Sequence, residues 1–133
     1  MKSAFARAVA IERRSLPARD EISFVMDVPP PVNRLFANVP GKGRVKTREY
    51  REWIKTAGWE VAAQRPGYIS GPVKVDIILP LNDRADVDSR IKASLDLAVR
   101  LNIIDDDAAR VIHGLNLSYD NTPKMRVRIR RVA

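Results

Sequence analysis

The chain has 133 residues, 45% apolar and 30% charged, and its 24 Lys+Arg against 16 Asp+Glu give a formal charge of +8. That length builds one domain with a hydrophobic core. The charge points to a polyanionic partner, nucleic acid first, with a merely basic protein as the plain alternative. Cysteine is absent and His113 is the one histidine, which removes disulfide scaffolds, zinc–thiolate sites, thiol nucleophiles and multi-histidine metal sites.

Residues 1–20 carry Lys2, Arg7, Arg13, Arg14 and Arg19 and read as a basic arm preceding a domain of residues 21–133. The opening ten residues lack the apolar run of a signal peptide, and no stretch approaches the roughly 20 apolar residues of a membrane span. A cytoplasmic setting without membrane attachment is expected. Ile22, Phe24, Met26 and Val28 alternate with other residues, predicting a half-buried strand that stops at Pro29-Pro30-Pro31.

Residues 32–46 read as a loop with two glycines and the cations Arg34, Lys42, Arg44 and Lys46. Thr47 is the expected N-cap of a helix whose Tyr50, Trp53, Ile54, Ala57 and Val61 recur at helical spacing. Trp53 belongs to that core stripe, while Trp59 stays open between surface and core. Val73, Val75 and Ile77 mark a second strand, stopped by Pro80. A second helix is expected from about Asp88, with Ile91, Leu95 and Ala98 on one stripe and Asn102 at a left-handed C-terminal position. Residues 110–119 and 124–132 read as strands joined by the Asp120-Asn121-Thr122-Pro123 turn into an antiparallel hairpin. His113 falls in the first of these, a structural position. The last strand sets Met125, Val127 and Ile129 against a cationic face of Arg126, Arg128 and Arg130. The order β-α-β-α-β-β predicts an α+β fold, a small mixed sheet with helices on one face.

Within this basic chain, acidic residues gather around the second helix. Asp86 and Asp88 precede it, Asp96 lies within it, and Asp105, Asp106 and Asp107 follow it. In an extended chain the Asp86-Val87-Asp88 spacing sends both carboxylates to one side, and Lys92 and Asp96 follow Asp88 at four-residue steps. Two readings stand side by side. In one, Asp88 caps the helix, Lys92 pairs with Asp88 or Asp96 for a few tenths of a kcal/mol, and the later aspartates form a solvated turn. In the other, the carboxylates gather a divalent cation for phosphodiester chemistry. A helix of about 15 residues is roughly 22 Å long, so only tertiary folding or a second subunit brings its two ends to one site.

The stretch Asp86-Val87-Asp88-Ser89-Arg90-Ile91-Lys92-Ala93-Ser94-Leu95-Asp96, continuing through Asn102-Ile103-Ile104-Asp105-Asp106-Asp107, resembles the RusA family of Holliday-junction endonucleases. That family's pattern is D-x-D-N-x-x-K, an apolar helix with an internal Asp, then G-x-x-x-D-D. Pro29-Pro30-Pro31-Val32-Asn33-Arg34 resembles the family's P-P-S-x-N-x segment, and Thr47, Tyr50 and Trp53 resemble its first helix. The likeness covers about residues 22–130. Ser89 stands where the family has Asn, and Asn102 where it has Gly.

The resemblance implies a metal-dependent endodeoxyribonuclease that cuts four-way junctions in pairs. Asp86, Asp88 and Asp107 would be its metal-binding catalytic carboxylates, with Lys92 a cation on the phosphate or transition state. Hard carboxylate oxygens suit Mg²⁺ or Mn²⁺. Asn33, Ser89, Asp96 and Asp106 fall to supporting or structural roles, and Asp105 to a solvated one. Arg34, Lys42, Arg44, Lys46, Arg48, Arg126, Arg128 and Arg130 are the candidate contacts to the DNA backbone. The family is dimeric, and the two-fold symmetry of a junction fits a homodimer. The alternative is a branched-DNA-binding protein without catalysis.

Overall fold

A computed structural model describes residues 16–132, so most of the expected basic arm lies outside the described residues. The part within them is tied to the domain. The backbone of Arg19 donates to the Tyr68 carbonyl at 2.9 Å, and Tyr68 donates back to Pro17 at 3.0 Å. Gly67 makes this approach possible. At φ +86° it adopts a backbone that side chains avoid, and an added Cβ would stand 2.5 Å from the Pro17 carbonyl oxygen.

Strict alternation builds β1 (Glu21–Met26), whose Ile22, Phe24 and Met26 are buried. Segment 32–46, expected as a loop, instead forms a 3₁₀ turn (Val32–Arg34) and a small hairpin, β2 (Phe36–Val39) with β3 (Gly43–Lys46). Gly41 and Gly43, at φ +79° and +74°, close the hairpin, with Lys42 donating to Val39 at 2.9 Å. Four-residue strands of mixed polarity show too little alternation to reveal it from sequence.

Helix α1 (Arg48–Ala63) begins as expected: the Thr47 hydroxyl accepts from the Tyr50 N–H at 3.1 Å. The same hydroxyl donates to the Arg34 carbonyl at 2.7 Å, which ties the helix start to the chain before the hairpin. Tyr50, Trp53, Ile54, Ala57 and Val61 are all buried, and Trp59 is exposed.

Strand β4 (Val73–Pro80) leads through a loop to helix α2 (Ile91–Arg100), then to β5 (Ile112–Asp120) and β6 (Met125–Arg131). The main sheet has the order β1-β6-β4-β5. The last two strands are therefore not a hairpin: β5 runs parallel to β4 and β6 antiparallel to it, on opposite sides. The turn at residues 121–124 reverses direction but carries the chain across β4. The reason lies in β4, whose Val73, Val75, Ile77 and Leu79 are all buried. Such a strand belongs at the centre of a sheet, and a helical crossover delivers a parallel neighbour. The fold is α+β, with the core between one face of the sheet and both helices. The other face carries the exposed Arg126, Arg128 and Arg130.

Helix α2 is shorter than expected. Residues 87–90 form a turn in which Ser89 donates to the Asp86 carbonyl at 2.9 Å, so Asp88 does not cap the helix. Its C-terminus ends in a Schellman arrangement: Ile103 donates to Ala98 and Asn102 to Val99, with Asn102 at φ +62°. This turn drives Ile103 and Ile104 into the core and leaves the next three aspartates outside it.

Candidate active site

The proline segment and the loop before α2 face each other across a cavity of about 520 Å³. One wall is Pro31, Val32, Asn33 and Arg34; the other runs from Arg84 to Arg90 and includes Asp86 and Asp88. Two contacts lock the walls together. The Val32 N–H donates to the Ser89 hydroxyl at 3.1 Å, and Arg90 donates through Nη1 to the Pro29 carbonyl at 2.6 Å.

Arg90 also grips Asp83 with Nη2 and Nε, at 2.9 and 3.3 Å. Their side chains are only 14% and 6% exposed, so little solvent screens the pair. The Arg90 hydrogen bond holds the Asp83 carboxyl below its ordinary proton affinity. Ser89, at 5% exposure, replaces an amide in the resembled pattern with a hydroxyl that still anchors the opposite wall.

Asp86 and Asp88 are exposed, and neither carboxylate has a hydrogen-bond or ion-pair partner among the described residues. Arg84, which sequence reasoning did not single out, lines the same cavity and has no side-chain partner among the described residues either. Arg34 stands 3.7 Å from Glu49 at the other side of the opening. The cavity thus presents two unneutralised carboxylates beside cations, a setting that accepts a dication together with a phosphate. Arg84 and Arg90 carried no pattern that would have marked them; only the folding of loop 81–90 gives them roles.

Asp107 does not line that cavity, and its carboxyl meets Asp96. The Asp96 carboxyl facing it, together with partial burial and Asp106, raises the proton affinity of Asp107. Lys92 lies 3.4 Å from Asp96 and makes no ion pair with Asp88. Burial, reinforced by the Asp96 charge and opposed by Arg100, raises the proton affinity of the Tyr50 hydroxyl, linking this acidic pair to α1. Asp106 turns inward to its own loop. Its carboxylate accepts from the Asp107 N–H and from Arg110, both at 2.8 Å, and the Asp107 N–H leads in holding its proton affinity low. Asp105, expected to be merely solvated, instead accepts the Gly71 N–H at 2.7 Å and fastens the turn before β4.

Among the described residues, no group of three or more His, Asp or Glu side chains is arranged to hold a metal ion. Asp86 and Asp88 nevertheless fit Mg²⁺. That ion keeps several waters and commonly takes only one or two protein carboxylates plus substrate phosphate oxygens.

The expected DNA-contacting cations fall into two groups. Lys42, Arg44 and Lys46 ride on the hairpin and Arg48 opens α1, pairing with Glu52 at 2.9 Å. On the sheet face away from the helices Arg128 pairs with Glu21 at 2.6 Å and Arg130 with Asp76 at 3.5 Å. Only Arg126 of that trio lacks a partner among the described residues. That face is therefore less cationic than its sequence suggests. Among the described residues no helix is long and apolar enough to cross a membrane. No protein-family model matches this chain, and no curated protein matches it.

Proposed function

We propose that this protein is a Mg²⁺-dependent endodeoxyribonuclease of the RusA type that cuts four-way DNA junctions, acting as a homodimer in the cytoplasm. One observation carries the reading: Asp86 and Asp88 stand unneutralised in one cavity beside Arg84 and Arg34. Two carboxylates that line one cavity, neither paired with a cation among the described residues, leave their charge available to a dication.

Asp86 and Asp88 would hold the ion, which supplies Lewis-acid polarisation of the phosphoryl group and a more acidic water. Arg84 and Arg34 neutralise the phosphate arriving in the cavity, and Arg90 keeps loop 81–90 fixed against the proline segment. Lys92, held by Asp96, offers a further cation for the phosphodiester. Asp107 would enter as the third carboxylate named by the resemblance, from beside Asp96.

The test uses a synthetic four-way junction and a linear duplex of the same sequence, each with Mg²⁺ and with chelator. Paired, metal-dependent nicks in the junction alone are the expected result. A second reading, a branched-DNA binder without catalysis, rests on Ser89 standing where the resembled pattern has Asn. It predicts junction binding with no cleavage in any divalent metal, and binding unchanged when Asp86, Asp88 and Asp107 are all replaced.

A further inference from the structure

Beside the first cavity, and sharing Val32 and Asn33 with it, lies a smaller notch of about 210 Å³. Its other residues are Phe36, Ala37, Asn38 and Arg44 of the hairpin. Asn38 and Arg44 are cross-strand partners, and Phe36 lies two residues before Asn38, so all three share one face of the ribbon. The Arg44 guanidinium lies over the Phe36 ring, 4.5 Å from its centroid, and Tyr50 braces that ring edge-on from α1. Asn33, Asn38 and Arg44 are exposed, and none makes a side-chain hydrogen bond or ion pair among the described residues.

The chemistry of this notch is that of a base site. Two primary amides each offer a donor and an acceptor, the combination that reads a base edge. A phosphate accepts only, and would leave both amide oxygens unused. A guanidinium stacked on an aromatic ring forms a planar, cationic platform of the kind on which unstacked bases settle. The volume is enough for one base with a few waters.

Resting on the nuclease reading, we infer that the notch holds the unstacked base of a nucleotide adjoining the cleaved bond, with Asn33, Asn38 and Arg44 setting sequence preference. Asn33, common to both cavities, sets the base site next to the cavity of Asp86 and Asp88. The consequence is a nuclease that needs a nucleotide free to leave its stack, as at a branch point, and that prefers one base there.

The experiment uses the full chain and four-way junctions carrying 2-aminopurine at successive positions around the branch. With chelator present, fluorescence should rise on binding at one position, and Asn38→Ala and Asn33→Ala should each abolish most of that rise. With Mg²⁺, the wild type should favour one base there by about tenfold, and Asn38→Ala should level the preference. Junctions that are cut with no fluorescence rise and no base preference overturn the notch assignment while leaving the nuclease reading intact. Arg44→Ala weakening every sequence equally, with the preference preserved, would assign the notch to phosphate and overturn it as well. Junctions neither bound nor cut would remove the reading on which it rests.

Discussion

Two pairs of carboxylates lie on or beside the same ten-residue helix, and the fold treats them differently. Asp86 and Asp88 precede α2 in a turn, exposed and unpartnered among the described residues, on the wall of a cavity. Asp96 and Asp107, on the helix and just past its end, face each other, with Lys92 on Asp96 and a raised proton affinity on Asp107. The first pair keeps its charge available to a ligand. The second is met internally, by Lys92 on Asp96. Position near a helix terminus does not separate the two; what the neighbouring chain brings to them does.

The comparison breaks most decisively under substitution. Asp88→Asn should lower junction cleavage by at least about a hundredfold while leaving binding equal or tighter, since a negative charge near phosphates is lost. Asp107→Asn should also lower cleavage, by a smaller factor, because the third carboxylate does not line the cavity that holds the other two. Equal losses, measured as single-turnover rates, would show that DNA and metal draw both pairs around one ion.

The next effect concerns the frame that holds the first pair. Arg90→Met leaves Asp83 buried without its partner and frees the Pro29 carbonyl. A loss of about 3 kcal/mol is expected, read as a lower urea midpoint. The double variant Arg90→Met with Asp83→Leu should recover a large part of it. If the single variant is as stable as wild type, the clamp does not support the loop.

The smallest effect is in pH, where the two regions pull in opposite directions. Asp107 holds its proton more tightly folded than unfolded, so its contribution is present below the ordinary carboxylate value of 3.8 and is lost as pH rises through its raised folded value. Asp83 is the reverse: its folded value is lowered, so its contribution is present above 3.8 and lost as pH falls through that lowered value. Thermal unfolding followed across the acidic range should therefore show Asp107→Asn removing a decline on the rising side. A wild-type profile that Asp107→Asn leaves unchanged would mean that Asp96 and Asp107 do not repel.

Single residues in local patterns were legible from the sequence: the Thr47 cap, the α1 stripe from Tyr50 to Val61, the alternation in β1 and β6, and Asn102 in the left-handed region. Each rests on interactions within a few residues, which the chain encodes directly. The pairing of β5 was not legible, because a turn sequence encodes reversal and says nothing about which neighbour a strand selects. The hairpin at residues 36–46 escaped for a different reason, its strands being too short and polar to alternate visibly.

By itself the sequence determined the α+β class, the amphipathic faces and the gathering of aspartates around one helix, since all three follow from residue type and spacing. Only the tertiary structure decided which carboxylates stay free, that Arg84 and Arg90 join them, and that Glu21 and Asp76 neutralise Arg128 and Arg130. Charge pairing is settled by which distant segments the core draws together, and that choice is made by burial of β4 and its neighbours, not by the charged residues themselves.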